Sequence, residues 1–216
     1  MALLFSLVQL LEGHLHAMDV AKHQPSKLAA MEAHWETHRA VPIYALSFPD
    51  ERHDRNFVQV LPVPAMLSVL AFGRPDAEVK GLKDFAREDR PPVTITFVAF
   101  RLMVGLGMLF IAVAILGNLL VLFDWIEHVR VFLWALILAI PLPYLANALG
   151  WTVAEVGRQP WIVYGLMRTE DAVSPIDPTQ VAITLVGFIV LYGILGLFGF
   201  YLLGRAAVQG PEAPPE

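Results

Sequence analysis

The chain has 216 residues, 56% of them hydrophobic and only 16% charged, with a formal charge of −5. A soluble domain of this size has no use for that much apolar surface, and several uninterrupted apolar runs identify an integral membrane protein. The absence of cysteine excludes disulfides and thiolate metal sites, and no basic cluster points to nucleic acid or to a lipid headgroup site.

In chain order, residues 1–11 are apolar but reach only about half of the ~20 residues a span needs. They lack a basic leading region and a small-residue cleavage site, so a signal peptide is not the expectation. The expectation is a partial transmembrane helix, and hence a fragment, a mis-started gene model or a split protein. Residues 12–92 form a long polar segment. Its first part, rich in Ala, Lys, Met and Glu, favours a helix interrupted at Gln24-Pro25. Its second part is rich in proline and turns, with a short strand expected at Asn56–Val60. About 80 residues is too long for a bare connector, and a loop of that size carries function.

Three complete spans follow. Residues 93–123 would make a helix roughly 46 Å long against a hydrocarbon core of about 30 Å, so one end protrudes or the helix tilts. Residues 131–158 form the second span, with Pro141 and Pro143 expected to kink it. The third is 179–204, and 205–216 read as a disordered tail. The fold class is therefore an all-α integral membrane bundle: three complete spans, a partial N-terminal one and a long extramembrane loop.

The short loop between the first two complete spans fixes relative depth. Met103 precedes Asp124 by 21 residues and Glu155 follows Arg130 by 25. Both sit about 30 Å or more from that loop, on the side of the 12–92 segment. Arg101, Met103, Trp151, Glu155, Arg158 and the long loop thus gather at one interface. Charge does not decide orientation: the 12–92 segment holds ten Lys/Arg but also twelve Asp/Glu, and segments longer than ~60 residues escape the positive-inside count.

Asn147, Trp151, Glu155 and Arg158 are spaced to share one helix face, a polar stripe that lipid would penalise. Glu155 and Arg158 read either as an interfacial ion pair ending a helix, or as a carboxylate ligand or proton carrier with a balancing cation. A haem, with a ferric centre and two propionates, would use both. Met103 reads either as packing or as a thioether axial ligand of a haem. Arg101 points about 200° away from it but is long enough to reach propionates. All seven histidines lie outside the complete spans. His34 and His38 have metal-compatible i, i+4 spacing but no third ligand, so a solvated helix face is favoured.

Three stretches carry a resemblance. Gly150-Trp151 with Glu155-Val-Gly-Arg-Gln-Pro-Trp161, then Ala99-Phe-Arg-Leu-Met-Val-Gly105, then Gln24-Pro-Ser-Lys-Leu-Ala-Ala-Met-Glu32 together resemble cytochrome bd ubiquinol oxidase subunit I, from the helix before its quinol-oxidising Q-loop onward. The resemblance implies that Met103 ligates haem b558, with Arg101 beside it. Glu155 would ligate a high-spin haem of the haem b595/haem d pair (or a b-type haem in place of haem d), with Arg158 nearby and Trp151 between haems. Lys27 and Glu32 would serve quinol oxidation. The implied partners are the missing N-terminal half of subunit I, subunit II, a small accessory subunit, membrane lipids and quinol. The implied place is a bacterial or archaeal cell membrane with the Q-loop on the outer face. The chain would transfer electrons from quinol through b- and d-type haems to oxygen, forming water and a proton gradient without pumping, and would be inactive alone. The family's first helices, with the histidine ligands, are absent. The alternatives are a truncated or degenerate non-catalytic relative, and a transporter with a Glu/Arg substrate site.

Overall fold

A computed structural model describes residues 1–210. The chain divides into two compact units, residues 1–172 and a second beginning at Val173.

The first unit opens with α1 (Ala2–His23), a single helix. The apolar stretch 1–11 and the polar stretch after it are thus one element. No proline interrupts them, and Lys22 and His23 stand in the last turn, where cations suit the helix dipole. Pro25 then occupies the first position of α2 (Pro25–Met31), a site where its missing N–H costs nothing. Within 12–92, short strands accompany the helices. β1 (His38–Arg39), β2 (Ile43–Asp50), β3 (Arg55–Val63), α3 (Met66–Phe72) and β4 (Glu78–Val79) follow in order. β2 and β3 form an antiparallel hairpin, with Leu46 opposite Val60 and Phe48 opposite Val58. β1 pairs with β4. The strand expected at Asn56–Val60 lies inside β3, but its partner was not foreseen, because Pro49 and Ser47 hide the β2 pattern.

α4 (Val93–Leu122) is the first span. The second is broken into α5 (Arg130–Ala139) and α6 (Leu142–Glu155), because Pro141 and Pro143 each remove a helical hydrogen bond. α6 ends at Glu155, so Arg158 stands in the turn beyond it. The expected four-residue stripe on one helix therefore ends after Asn147, Trp151 and Glu155. The loop that follows contains β5 (Trp161–Val163) paired with β6 (Met167–Arg168), with Gly165 at φ +72° in the connection.

α4 packs along α6 and α1, and receives α2 on its N-terminal half. Small residues allow the approach: Ala29, Ala30 and Ala99 are buried, and Met31, Ala99 and Val153 form one cluster joining α2, α4 and α6.

In the second unit, α7 (Pro178–Gln209) is capped by Asp177, whose carboxylate accepts from the Thr179 N–H at 2.8 Å. Residues 205–209 of the expected tail are helical, extending the apolar run; residues 211–216 of that tail lie outside the described residues.

Candidate functional site

The site forms where α2 ends against α4. Glu32 follows the last turn of α2, and its carboxylate accepts a 2.6 Å hydrogen bond from Arg101 Nη2. Arg101 also donates through Nη1 to the Tyr44 carbonyl of β2 at 2.9 Å, and its guanidinium lies 5.2 Å from the Phe97 ring centre. One arginine therefore ties α4, α2 and the hairpin together. Burial pushes Glu32 up to about 7, against the pull of Arg101. At neutral pH this carboxyl can both give and take a proton.

Lys27 lies one and a half turns earlier. Its Nζ donates to the Ala154 carbonyl at 3.4 Å. Burial lowers its pKa, the Arg158 charge lowers it further, and Glu155 opposes both. Gly157 makes this proximity possible. A Cβ there would lie 2.4 Å from the Val153 carbonyl oxygen, 3.0 Å from Thr96 Cγ2 and 3.4 Å from Lys27 Cε. Glu155 and Arg158 form an ion pair at 2.5 Å, and Gln159 Nε2 donates to the Glu155 carbonyl at 3.2 Å.

Met103 sits between α4 and α6. A Cβ on Gly150 would come within 3.1 Å of its sulfur, so the glycine makes room for the thioether. Trp151, the next residue, is 69% exposed. The residues here fit one side of a haem site. Met103 would offer a thioether, a haem-iron ligand type, Glu155 would offer a carboxylate to a cationic metal centre, and Arg101 and Arg158 each hold a buried Nε without a partner. Propionates satisfy such donors. Among the described residues no cluster of three or more His, Cys, Asp or Glu could hold a metal ion by itself.

Several residues that shape the site went unrecognised in the sequence. Glu51, at the hairpin turn, accepts from the Val93 and Thr94 N–H groups and from Thr94 Oγ1, capping α4 from across the fold. Asp54 in the same turn pairs with Arg87 at 2.8 Å and Arg90 at 3.3 Å. Asn56 of β3 accepts from Trp35 Nε1 at 2.9 Å and donates to the Ala33 carbonyl at 3.0 Å. These contacts join residues far apart in the chain and leave no local pattern. His34 corrects the expectation directly. Helix α2 ends at Met31, so His34 and His38 share no helix face, and His34 is only 8% exposed. It lines, with Glu32, Trp35, Tyr44 and Asn56, a cavity of about 320 Å³ between the segment that follows α2 and the hairpin.

Comparison with known proteins places these features in context. The sequence matches the family described as cytochrome bd terminal oxidase subunit I over residues 1–211. It is 35% identical to the cytochrome bd ubiquinol oxidase subunit 1 of Bacillus subtilis, over 94% of this chain and 45% of that protein. It is 27% identical to the cytochrome bd-II ubiquinol oxidase subunit 1 of Escherichia coli, over 93% and 52%. The fold resembles the solved bd oxidase of Geobacillus thermodenitrificans, with a TM-score of 0.77 and 32% identity, covering 97% of this chain and 48% of that one. The chain spans about half the length of the relatives it matches.

Proposed function

The chain belongs to the cytochrome bd terminal oxidase subunit I family, and we propose that it forms the quinol-oxidising and haem-binding part of a respiratory terminal oxidase. It would work with the rest of subunit I, in the same or a separate chain, and with subunit II, passing quinol electrons to oxygen and forming water. The long loop would lie on the outer face of a bacterial or archaeal cell membrane, where quinol protons are released. In this reading Met103 holds haem b558 and Glu155 a high-spin haem, b595 or d.

The observation that carries the proposal is the Glu32–Arg101 pair, a protonatable carboxyl bonded to the helix that presents Met103 two residues on. Glu32 accepts a proton from the quinol hydroxyl; Arg101 holds the carboxylate in place and keeps it from drifting further upward in pKa. Lys27 places a cation near the turn that carries Glu155 and Arg158. Haem, when bound, supplies one-electron redox chemistry at its iron. Arg101 and Arg158 would neutralise acidic groups beside it, and Gly150 leaves room for the Met103 sulfur.

Replacing Met103 tests the reading. Reduced-minus-oxidised spectra of the assembled complex with Met103→Leu should lose the low-spin b-type signal while keeping the high-spin bands. An unchanged spectrum would refute the ligand assignment.

A further inference from the structure

His34 is buried beside Glu32 on the wall of the 320 Å³ cavity, a size at the small end of ligand pockets. Its Nε2 lies 3.2 Å from the Val79 carbonyl oxygen. A carbonyl only accepts, so Nε2 carries the hydrogen and Nδ1 keeps its lone pair. Among the described residues Nδ1 has no hydrogen-bond partner. Burial pushes the ring down to about 4, so it is neutral in the physiological range. The titratable groups facing it are His38, Glu36 and Asp84, of which Glu36 is paired with Lys83 and Asp84 accepts from Thr37 Oγ1 at 2.5 Å. The His38 ring centre is 5.0 Å away. His38 is exposed, and its Nδ1 lies 2.9 Å from the Glu36 carbonyl oxygen, which leaves Nε2 as its acceptor. A neutral buried imidazole with a free lone pair therefore lines the cavity beside a second, exposed imidazole that lines it too.

We propose that this cavity takes the quinol ring, that His34 binds the hydroxyl which Glu32 does not, and that His34 and His38 carry its proton to the water outside. The proposal rests on the quinol-oxidising reading of Glu32. The step balances as one quinol oxidised to one quinone, with two electrons leaving one at a time in two ferric-to-ferrous haem reductions and two protons passing to bases. One O–H bond breaks as a proton passes to the Glu32 carboxylate. The other breaks as a proton passes to His34 Nδ1, and from there to His38 Nε2 and solvent. A base with so low a pKa holds its proton only briefly, which suits a relay rather than a store.

The test uses the assembled complex and two soluble substrates, a decyl-ubiquinol and a short-chain menaquinol. His34→Phe should raise the quinol KM by about tenfold, the worth of one hydrogen bond, and His34→Gln, which restores an acceptor, should recover most of that loss. His38→Ala is a surface change with little risk to folding. It should leave KM unchanged, lower kcat about tenfold or more, and be rescued by added imidazole. An unaltered haem difference spectrum shows that each variant has assembled. If wild type oxidises quinol and Glu32→Gln abolishes this, but the His34 variants keep their KM and His38→Ala keeps its kcat, the relay is overturned and the reading of Glu32 stands. If Glu32→Gln oxidises quinol at the wild-type rate, both fall.

Discussion

Glu32 shows how much a single environment can change a residue. In water a glutamate is ionised throughout the neutral range; here burial raises it to about 7, and the Arg101 contact at 2.6 Å keeps it from rising further. A proton acceptor must begin as the carboxylate, and that form predominates above the pKa. Quinol oxidation should therefore fall as the pH drops through about 7, with the inflection following Glu32. Removing the counter-charge exaggerates the effect. With Arg101→Gln the carboxyl loses the group that lowers its pKa, so the acid limb of the kcat/KM profile should move to higher pH. A profile that does not move would separate Arg101 from the proton chemistry. The sequence named both residues but not their bond, because a resemblance labels positions one at a time. It also misjudged His34. The i, i+4 spacing assumes a helix, and the chain leaves the helix at Met31.

At the scale of elements, the spans were legible and the extramembrane scaffold was not. Apolar runs of sufficient length are written into the composition, and Pro141 and Pro143 announce the break between α5 and α6. The hairpin is different. Its apolar residues face outward as well as inward, with Phe57 and Leu61 both about two-thirds exposed, so no clean alternation marks it. What fixes it is remote: Glu51 on the α4 N-terminus, Asp54 on Arg87 and Arg90, and Tyr44 under Arg101. Glu51→Ala should cost about 1 kcal/mol, the usual worth of a helix cap. Hydrogen exchange should then lose protection at residues 93–96, while the rest of α4 stays protected. Gly157 is the second joint. A methyl group there would meet the Val153 carbonyl oxygen at 2.4 Å and Thr96 Cγ2 at 3.0 Å, so the turn after α6 must shift, and overpacking of this kind costs about 1–3 kcal/mol. Gly157→Ala should lower the unfolding temperature of the assembled complex, and a Tm equal to wild type would show that the turn absorbs the methyl.

At the scale of the whole molecule, three spans among the described residues, α4, the broken α5–α6 and α7, are long and apolar enough to cross a membrane, and almost all of their surface is exposed. Their outer surfaces must meet lipid or other polypeptides. The Thr152 and Thr184 hydroxyls on these faces each donate to the carbonyl four residues back, which satisfies them without a neighbour, and Asn118 donates one amide N–H to the Ala114 carbonyl. The polar functional groups collect instead at the end of α4 and α6 nearest the hairpin, while the 124–129 loop at the other end carries none of them. If quinol protons are released outside, the hairpin must face outward and that loop must face the cytoplasm. The absence of cysteine from the chain makes this directly measurable. Arg52 in the hairpin turn and Glu127 in the short loop are both exposed, so a cysteine at either site should react without disturbing the fold. In intact cells a membrane-impermeant maleimide should label Arg52→Cys at once and Glu127→Cys only after permeabilisation. The reverse pattern would put the Glu32 site on the cytoplasmic side. Protons from quinol would then be released where oxygen reduction consumes them, and the reaction would build no gradient.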